Sequence, residues 1–245
     1  MRRLVAVVQA RTGSTRLPGK VLRDLGGRPV LAWVLAAARE SGECDEMVVA
    51  TTTDPADDAV AALAIRLGAR VVRGPVDDVL TRYLMAAMAV GVGSDDGIIR
   101  LTSDCPLLDP RVIAECARRF TDGDVEYVTT DHEHTVAHGF DVEVVSVEAL
   151  RRIGTVATGA DRVHVTSYIA GHGDEFRVAS VALDPPCADL RVTLDEPADA
   201  VLLDAIVDQL GYRSNDWRAV VALLRSRPDL VALNARVAVK PLAAG

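Results

Sequence analysis

Strand-length apolar runs alternate with segments of helical period along most of this chain, and that alternation confines it to crossover units built around a largely parallel sheet. Residues 4–8 read as a first strand. Gly26 and Gly27 then turn the chain into Pro29, whose fixed φ suits the start of a helix reaching Arg39. Residues 47–51 are the next strand, and Asp54-Pro55 opens another helix. In that helix Val60, Leu63, Ala64 and Leu67 share one buried face, and Gly68 ends it. Strands at 70–73 and 97–102 alternate with helices at 77–90 and 110–120. Beyond about residue 122 the rhythm loosens. Strands are expected near Tyr127 and at 142–145, 176–183 and 191–194, with helices at 147–153, 162–170, 198–209 and 217–224. No repeat or low-complexity linker interrupts the 245 residues, so a single α/β domain is expected.

Several classes of function are excluded early. No uncharged apolar run approaches the roughly 18 residues that a bilayer span needs. The apolar start at 4–8 is too short for a signal peptide, which makes the cytoplasm the expected location. A net charge of -8 does not suit a general nucleic-acid binder. The four cysteines, Cys44, Cys105, Cys116 and Cys187, contain no C-x-x-C pair, hence neither a zinc ribbon nor a disulfide framework. Of the 27 basic side chains all but Lys20 and Lys240 are arginine, which makes the two lysines worth inspecting.

The strongest chemical signal is the segment 9–20, Q-A-R-T-G-S-T-R-L-P-G-K, which leaves the carboxyl end of the first strand, where open α/β sheets bind ligands. Gly13 and Gly19 allow backbone N–H groups to come close to a ligand, and Ser14 adds a hydroxyl. Arg11, Arg16 and Lys20 put three cations in the same loop, a combination that suits a polyphosphate. The spacing is neither a Walker P-loop nor a dinucleotide fingerprint.

This loop resembles the A-R-x-x-S-x-R-L-P-G-K signature of the cytidylyltransferases, the group that activates sugar acids such as KDO and sialic acid, and it is most similar to the SpsF-like branch. Five further segments match in order: 73–83, 100–110, 139–144, 164–169 and 191–199. The resemblance implies a Rossmann-like nucleotidyltransferase fold of the GT-A type, mostly parallel sheet flanked by helices. It also implies transfer of CMP from CTP with release of pyrophosphate, a Mg²⁺ cofactor and a homodimer. On this reading residues 1–121 are a nucleotide-binding half, 122–195 an acceptor-binding half, and 196–245 closing helices. Ala10, Arg11, Gly13, Ser14, Arg16, Lys20, Arg73, Asp78, Thr102 and Ser103 are then the nucleotide-binding residues, with Arg11, Lys20 and Asp104 catalytic.

Mg²⁺ on an α-phosphate is held by one or two carboxylates, and the resemblance makes Asp104 the first. Asp195, also directly after an expected strand and before a Pro-started helix, is the second. Either acid alone could also be an ordinary helix cap. Asp141 and Glu143 are one residue apart, so in a strand they share a face and could bind a second cation or substrate hydroxyls. Asp131, His132, Glu133, His134 and His138 look like a metal cluster, but the resemblance places this loop over the acceptor pocket. Arg162 and His164 are candidates for an anionic acceptor, a sugar acid or a phosphate or phosphonate. Here Val163 stands where the family usually has Glu, Ser103 where it tends to have Gly, and His138 where it has Pro. The alternatives are a GT-A glycosyltransferase using a sugar nucleotide and a nucleotide-binding module without catalysis.

Overall fold

The computed structural model describes residues 2–130 and 135–238. Strand β1 (Leu4–Gln9) is its spine. Successive side chains of a strand point to opposite faces, and Leu4, Ala6 and Val8 enter one apolar cluster while Val5 and Val7 enter another. Burial on both faces is possible only for an interior strand covered by helices on each side. A short 3₁₀ turn at Lys20–Leu22 and a small hairpin, β2 (Asp24–Leu25) and β3 (Arg28–Pro29), follow the loop after β1. Then come α1 (Val30–Glu40), β4 (Glu46–Thr52), α2 (Asp58–Arg66), β5 (Arg70–Gly74), α3 (Val79–Val90), β6 (Gly97–Thr102) and α4 (Pro110–Asp122). The second half supplies β7 (Tyr127–Thr129), β8 (Glu143–Ser146), α5 (Val147–Val156), α6 (Ala160–His164), α7 (Ser167–Gly171) and β9 (Val178–Ser180). Helices α8 (Pro197–Leu210), α9 (Trp217–Ser226) and α10 (Pro228–Val231) complete the order.

One seven-stranded sheet runs β5-β4-β1-β6-β8-β7-β9, parallel except where β8 lies antiparallel to β6 and β7. Helices α1, α2, α4, α8 and α9 bury their apolar faces on one side, and α3, α5 and α7 on the other. After β1 the chain moves outward through β4 and β5, then returns to place β6 on the opposite side of β1. The carboxyl ends of β1 and β6, with Gln9 beside Thr102, therefore form a topological switch point, the crevice in which such sheets hold ligands. Among the described residues no helix is long and apolar enough to cross a membrane.

Three expectations are corrected. The segment 191–194 is not a strand: apart from one bridge between His138 and Arg191 its backbone joins no ladder. Its N–H groups are spent on loops instead, Val192 donating to the His138 carbonyl and Leu194 to the Asp104 carbonyl, each at 2.8 Å. The single helix expected at 162–170 is broken into α6 and α7 at Val165, whose φ of 61° lies in the left-handed region that a β-branched residue seldom enters. The strand expected at 176–183 shortens to β9, which among the described residues pairs only with β7.

Candidate active site

The loop after β1 is folded on its own backbone. The Thr12 carbonyl accepts the Ser14 N–H at 2.8 Å and the Gly19 N–H at 2.9 Å, closing residues 12–19 into a ring. Gly19 has φ 71°, a conformation that favours glycine. A Cβ at Gly13 would meet nothing within 4 Å, and its φ is not positive, so nothing within the chain requires glycine there. The Ser14 hydroxyl accepts the Leu17 N–H at 3.3 Å. Ala10 is buried and donates to the Ala50 carbonyl at 3.3 Å, and Ser103, also buried, donates to the Gln9 carbonyl at 3.1 Å. Arg11 is exposed and makes no hydrogen bond or ion pair with a described residue.

Lys20, which follows the ring, sends its ammonium between two acids. Nζ lies 2.9 Å from Asp104 Oδ2 and 2.9 Å from Asp195 Oδ1. The two acids reach one point because the 191–195 segment is tied to the Asp104 carbonyl, by the Leu194 N–H and by the Thr193 hydroxyl at 3.1 Å. Gly139 permits a second close approach: with φ 116°, a Cβ there would sit 2.6 Å from the Thr193 nitrogen. Asp195 also receives Arg191 Nη2 at 2.7 Å and Arg16 Nη2 at 3.4 Å, while Arg16 Nη1 holds Glu196 at 3.1 Å. Arg191 is fixed in turn by the fully buried Asp199, at 2.9 Å, which also accepts from Asn234 at 2.9 Å.

Neither acid is a helix cap. Asp109 caps α4 by accepting the Arg111 N–H, and at α8 it is Asp199 that accepts the Glu196 N–H, so Asp104 and Asp195 are left for the crevice. Burial disfavours their charge, but the Lys20 ammonium together with the Thr102 hydrogen bond at Asp104, and with Arg191 and Arg16 at Asp195, outweighs it, holding Asp104 below the usual carboxylate range and Asp195 down at about 2. Burial likewise works against the Lys20 charge, and the two acids more than compensate, raising its pKa. All three groups are ionised at neutral pH. Two carboxylates that converge on one positive charge form a donor set that suits Mg²⁺, which takes one or two carboxylates with phosphate oxygens and water. Among the described residues no set of three or more His, Cys, Asp or Glu is placed to hold a metal ion.

Other predicted residues lie elsewhere or are already engaged. Arg73 binds the Thr52 and Asp54 carbonyls and Asp58, and so pins the segment after β4. Asp78 caps α3 through the Thr81 N–H at 2.8 Å and pairs with Arg162 at 2.8 Å. A residue assigned to the nucleotide and one assigned to the acceptor thus hold each other, and join α6 to the start of α3. Thr102 ends β6 with its hydroxyl 3.2 Å from Cys105 Sγ. Asp141 and Glu143 do not share a site. Glu143 pairs with the half-buried Arg100 at 3.0 Å and accepts the Thr166 hydroxyl at 2.7 Å. Asp141 precedes β8, accepts the Gly139 N–H at 2.9 Å and lies 3.5 Å from the exposed His138 ring. The Asp141 hydrogen bond raises the His138 pKa against the opposing effect of partial burial. His164 is half-buried at the end of α6. Residues 131–134, the rest of the candidate histidine cluster, lie outside the described residues.

Sequence reasoning did not single out Arg191, Asp199, Asn234 or Asp57. The first two carry a signal in hindsight, since Arg191, Asp195 and Asp199 recur every four residues. Asn234 is 35 residues from Asp199, and no local pattern announces it.

The comparisons with known proteins fit this geometry. A model of the cytidylyltransferase family matches residues 5–175. The chain is 32% identical to the spore coat polysaccharide biosynthesis protein SpsF of Bacillus subtilis, with 94% of this chain and 97% of that protein aligned. Among solved structures, a cytidylyltransferase from Leptospira borgpetersenii superposes with a TM-score of 0.89 at 25% identity, covering 98% of this chain and 100% of that one. A CMP:2-keto-3-deoxy-manno-octonic acid synthetase complexed with CTP superposes with a TM-score of 0.63 at 19% identity, over 84% and 99% of the two chains, a likeness of fold.

Proposed function

This chain belongs to the cytidylyltransferase family, and from that premise we propose that it transfers CMP from CTP to a small anionic acceptor, with Mg²⁺ as cofactor and pyrophosphate as leaving group. The observation that carries the proposal is the meeting of Lys20, Asp104 and Asp195 at the switch point between β1 and β6. Its three parts come from distant stretches of sequence and supply what an in-line attack on an α-phosphate needs, which is charge neutralisation and positioning.

Asp104 and Asp195 are the residues that would hold the cation, and when bound the cation acts as a Lewis acid toward an α-phosphate oxygen. Arg11, Arg16 and Lys20, the last two held by acids in this structure, would turn to the β- and γ-phosphates and the departing pyrophosphate when the nucleotide binds. The ring at 12–19 offers backbone N–H groups to the same oxygens. Arg191 orients Asp195 by holding Oδ2, which leaves Oδ1 turned toward the Lys20 ammonium. No protein nucleophile is required. An acceptor that is already a phosphate or phosphonate attacks without a general base, whereas a sugar hydroxyl would lose its proton to a carboxylate, for which Asp141 is the candidate. The name of the Bacillus relative supports a polysaccharide precursor as the product, and the family resemblance supports a sugar acid as the acceptor. The family resemblance supports a homodimer.

The test is a matrix of CTP, UTP, ATP and GTP against Mg²⁺, with 3-deoxy-manno-octulosonate, sialic acid and simple phosphonates as acceptors and pyrophosphate release as the readout. Release from CTP alone supports the reading; release from UTP or ATP alone refutes it.

A further inference from the structure

Asp57 stands at the N-cap position of α2, yet its side chain makes no cap hydrogen bond. It reaches across to the loop after β1 instead. Oδ1 accepts the Thr12 N–H at 2.7 Å and the Thr12 hydroxyl at 2.8 Å, and Oδ2 accepts the Thr52 hydroxyl. The residue is 2% exposed, its three donors are all neutral, and it forms no ion pair with a described residue. Arg82 acts on it only from beyond ion-pair distance, so a carboxylate taken this far from water is costly to the fold before its hydrogen bonds are counted. Burial opposes its charge, and the hydrogen bonds from Thr52 and Thr12 outweigh burial, so it is ionised at neutral pH.

We propose that Asp57 is a positioning residue for the polyphosphate of the nucleotide, acting through Thr12. With both Thr12 donors taken by Asp57, the Thr12 carbonyl is fixed as the acceptor for the Ser14 and Gly19 N–H groups, and the ring at 12–19 is set. Arg16 lies in that ring and Lys20 follows it directly, so the anchor beneath Thr12 decides where two of the three loop cations stand. Asp57 touches no substrate: an exposed anion here would repel phosphate, and this one is buried with both oxygens engaged. The inference deepens the proposed function and rests on it.

The variants are Asp57→Ala and Asp57→Asn, with the dissociation constants of CTP and CMP measured well below the melting temperature. In Asp57→Ala the affinity for CTP should fall by about tenfold or more while that for CMP changes by less than about threefold, the scale of losing hydrogen bonds to a charged group. In Asp57→Asn the amide oxygen can face Thr12 and the amide N–H₂ the Thr52 hydroxyl, so CTP affinity should recover to within about threefold of the parent. A folded Asp57→Ala protein that binds CTP like the parent, or that loses CTP and CMP affinity equally, overturns the proposal. If Asp57→Ala does not fold, Thr12→Val removes one donor, and a smaller loss confined to the triphosphate carries the same test. If the parent protein binds neither CTP nor CMP, the cytidylyl reading fails on its own. Inorganic tripolyphosphate against monophosphate then tests Asp57 with the same two outcomes.

Discussion

Replacing Lys20 by Met removes the ammonium that two acids share. Each contact is 2.9 Å, so Asp104 Oδ2 and Asp195 Oδ1 are no more than twice that distance apart. At about 6 Å and an effective dielectric of about 20, two such charges repel by about 3 kcal/mol, roughly two pKa units. Arg16 and Arg191 remain beside Asp195, so the proton should go to Asp104, whose pKa rises above the ordinary carboxylate range. In the parent, both acids have depressed values: their stabilisation is present above about pH 4 and is lost as pH falls through those values, about 2 for Asp195. In Lys20→Met the sign reverses for Asp104, and the variant gains stability relative to the parent as pH falls from about 7 to about 5. Urea denaturation of both proteins at the two pH values reads this directly. Turnover should fall by roughly two to three orders of magnitude, the scale of losing one preorganised charge. The affinity for Mn²⁺ without nucleotide should rise by about tenfold or more, because the metal no longer competes with an ammonium for the same oxygens. Turnover within about tenfold of the parent, with no change in the pH dependence of stability, would show that the ammonium does not hold the two acids ionised.

Arg191→Met should destabilise the fold by roughly 3 kcal/mol in urea denaturation, because Asp199, with 0% exposure, keeps its charge and loses its cation. Gly139→Ala puts a Cβ 2.6 Å from the Thr193 nitrogen at φ 116°; it should cost about 2 kcal/mol or more and pull the 191–195 segment off Asp104, seen as a joint fall in melting temperature and turnover. His138 has a raised pKa, so its pairing with Asp141 stabilises below its ordinary value and is lost as pH rises through the raised one. The melting-temperature difference between the parent and His138→Gln should therefore shrink between about pH 5 and about pH 9.

The first half of the fold was legible because each strand there is a short β-rich run and most helices open at or just after a capping acid or a Pro, as at Asp109-Pro110. The second half was less so. Residues 191–194 carry the alternation of a strand, and only tertiary contacts divert their N–H groups to His138 and Asp104. Val165 gives no sign in sequence of the positive φ that splits α6 from α7, because its conformation is imposed by packing, with 0% of the residue exposed. In the site, the cationic loop announced itself through residue types crowded into one segment. Asp104 and Asp195 were visible as acids after strand-like runs, although their sharing of one ammonium was not. Arg162 and Asp78 show the opposite limit: each looked like a ligand-binding residue, and the structure pairs them because a guanidinium and a carboxylate from distant segments happen to meet. Asp57 went unnoticed since Asp-rich starts of helices are ordinary, and its reach to Thr12 is a long-range contact.

A site that transfers CMP must pass the α-phosphate, and not the β- or γ-phosphate, to the acceptor. CTP labelled at the α-phosphate, incubated with Mg²⁺ and the acceptor panel, should give label in a CMP–acceptor conjugate and none in the released pyrophosphate, and Asp104→Asn should lose both products together. Label left entirely in CTP under every acceptor, with CTP nevertheless bound, or conjugate formation that survives in Asp104→Asn, would contradict transfer of CMP by this site.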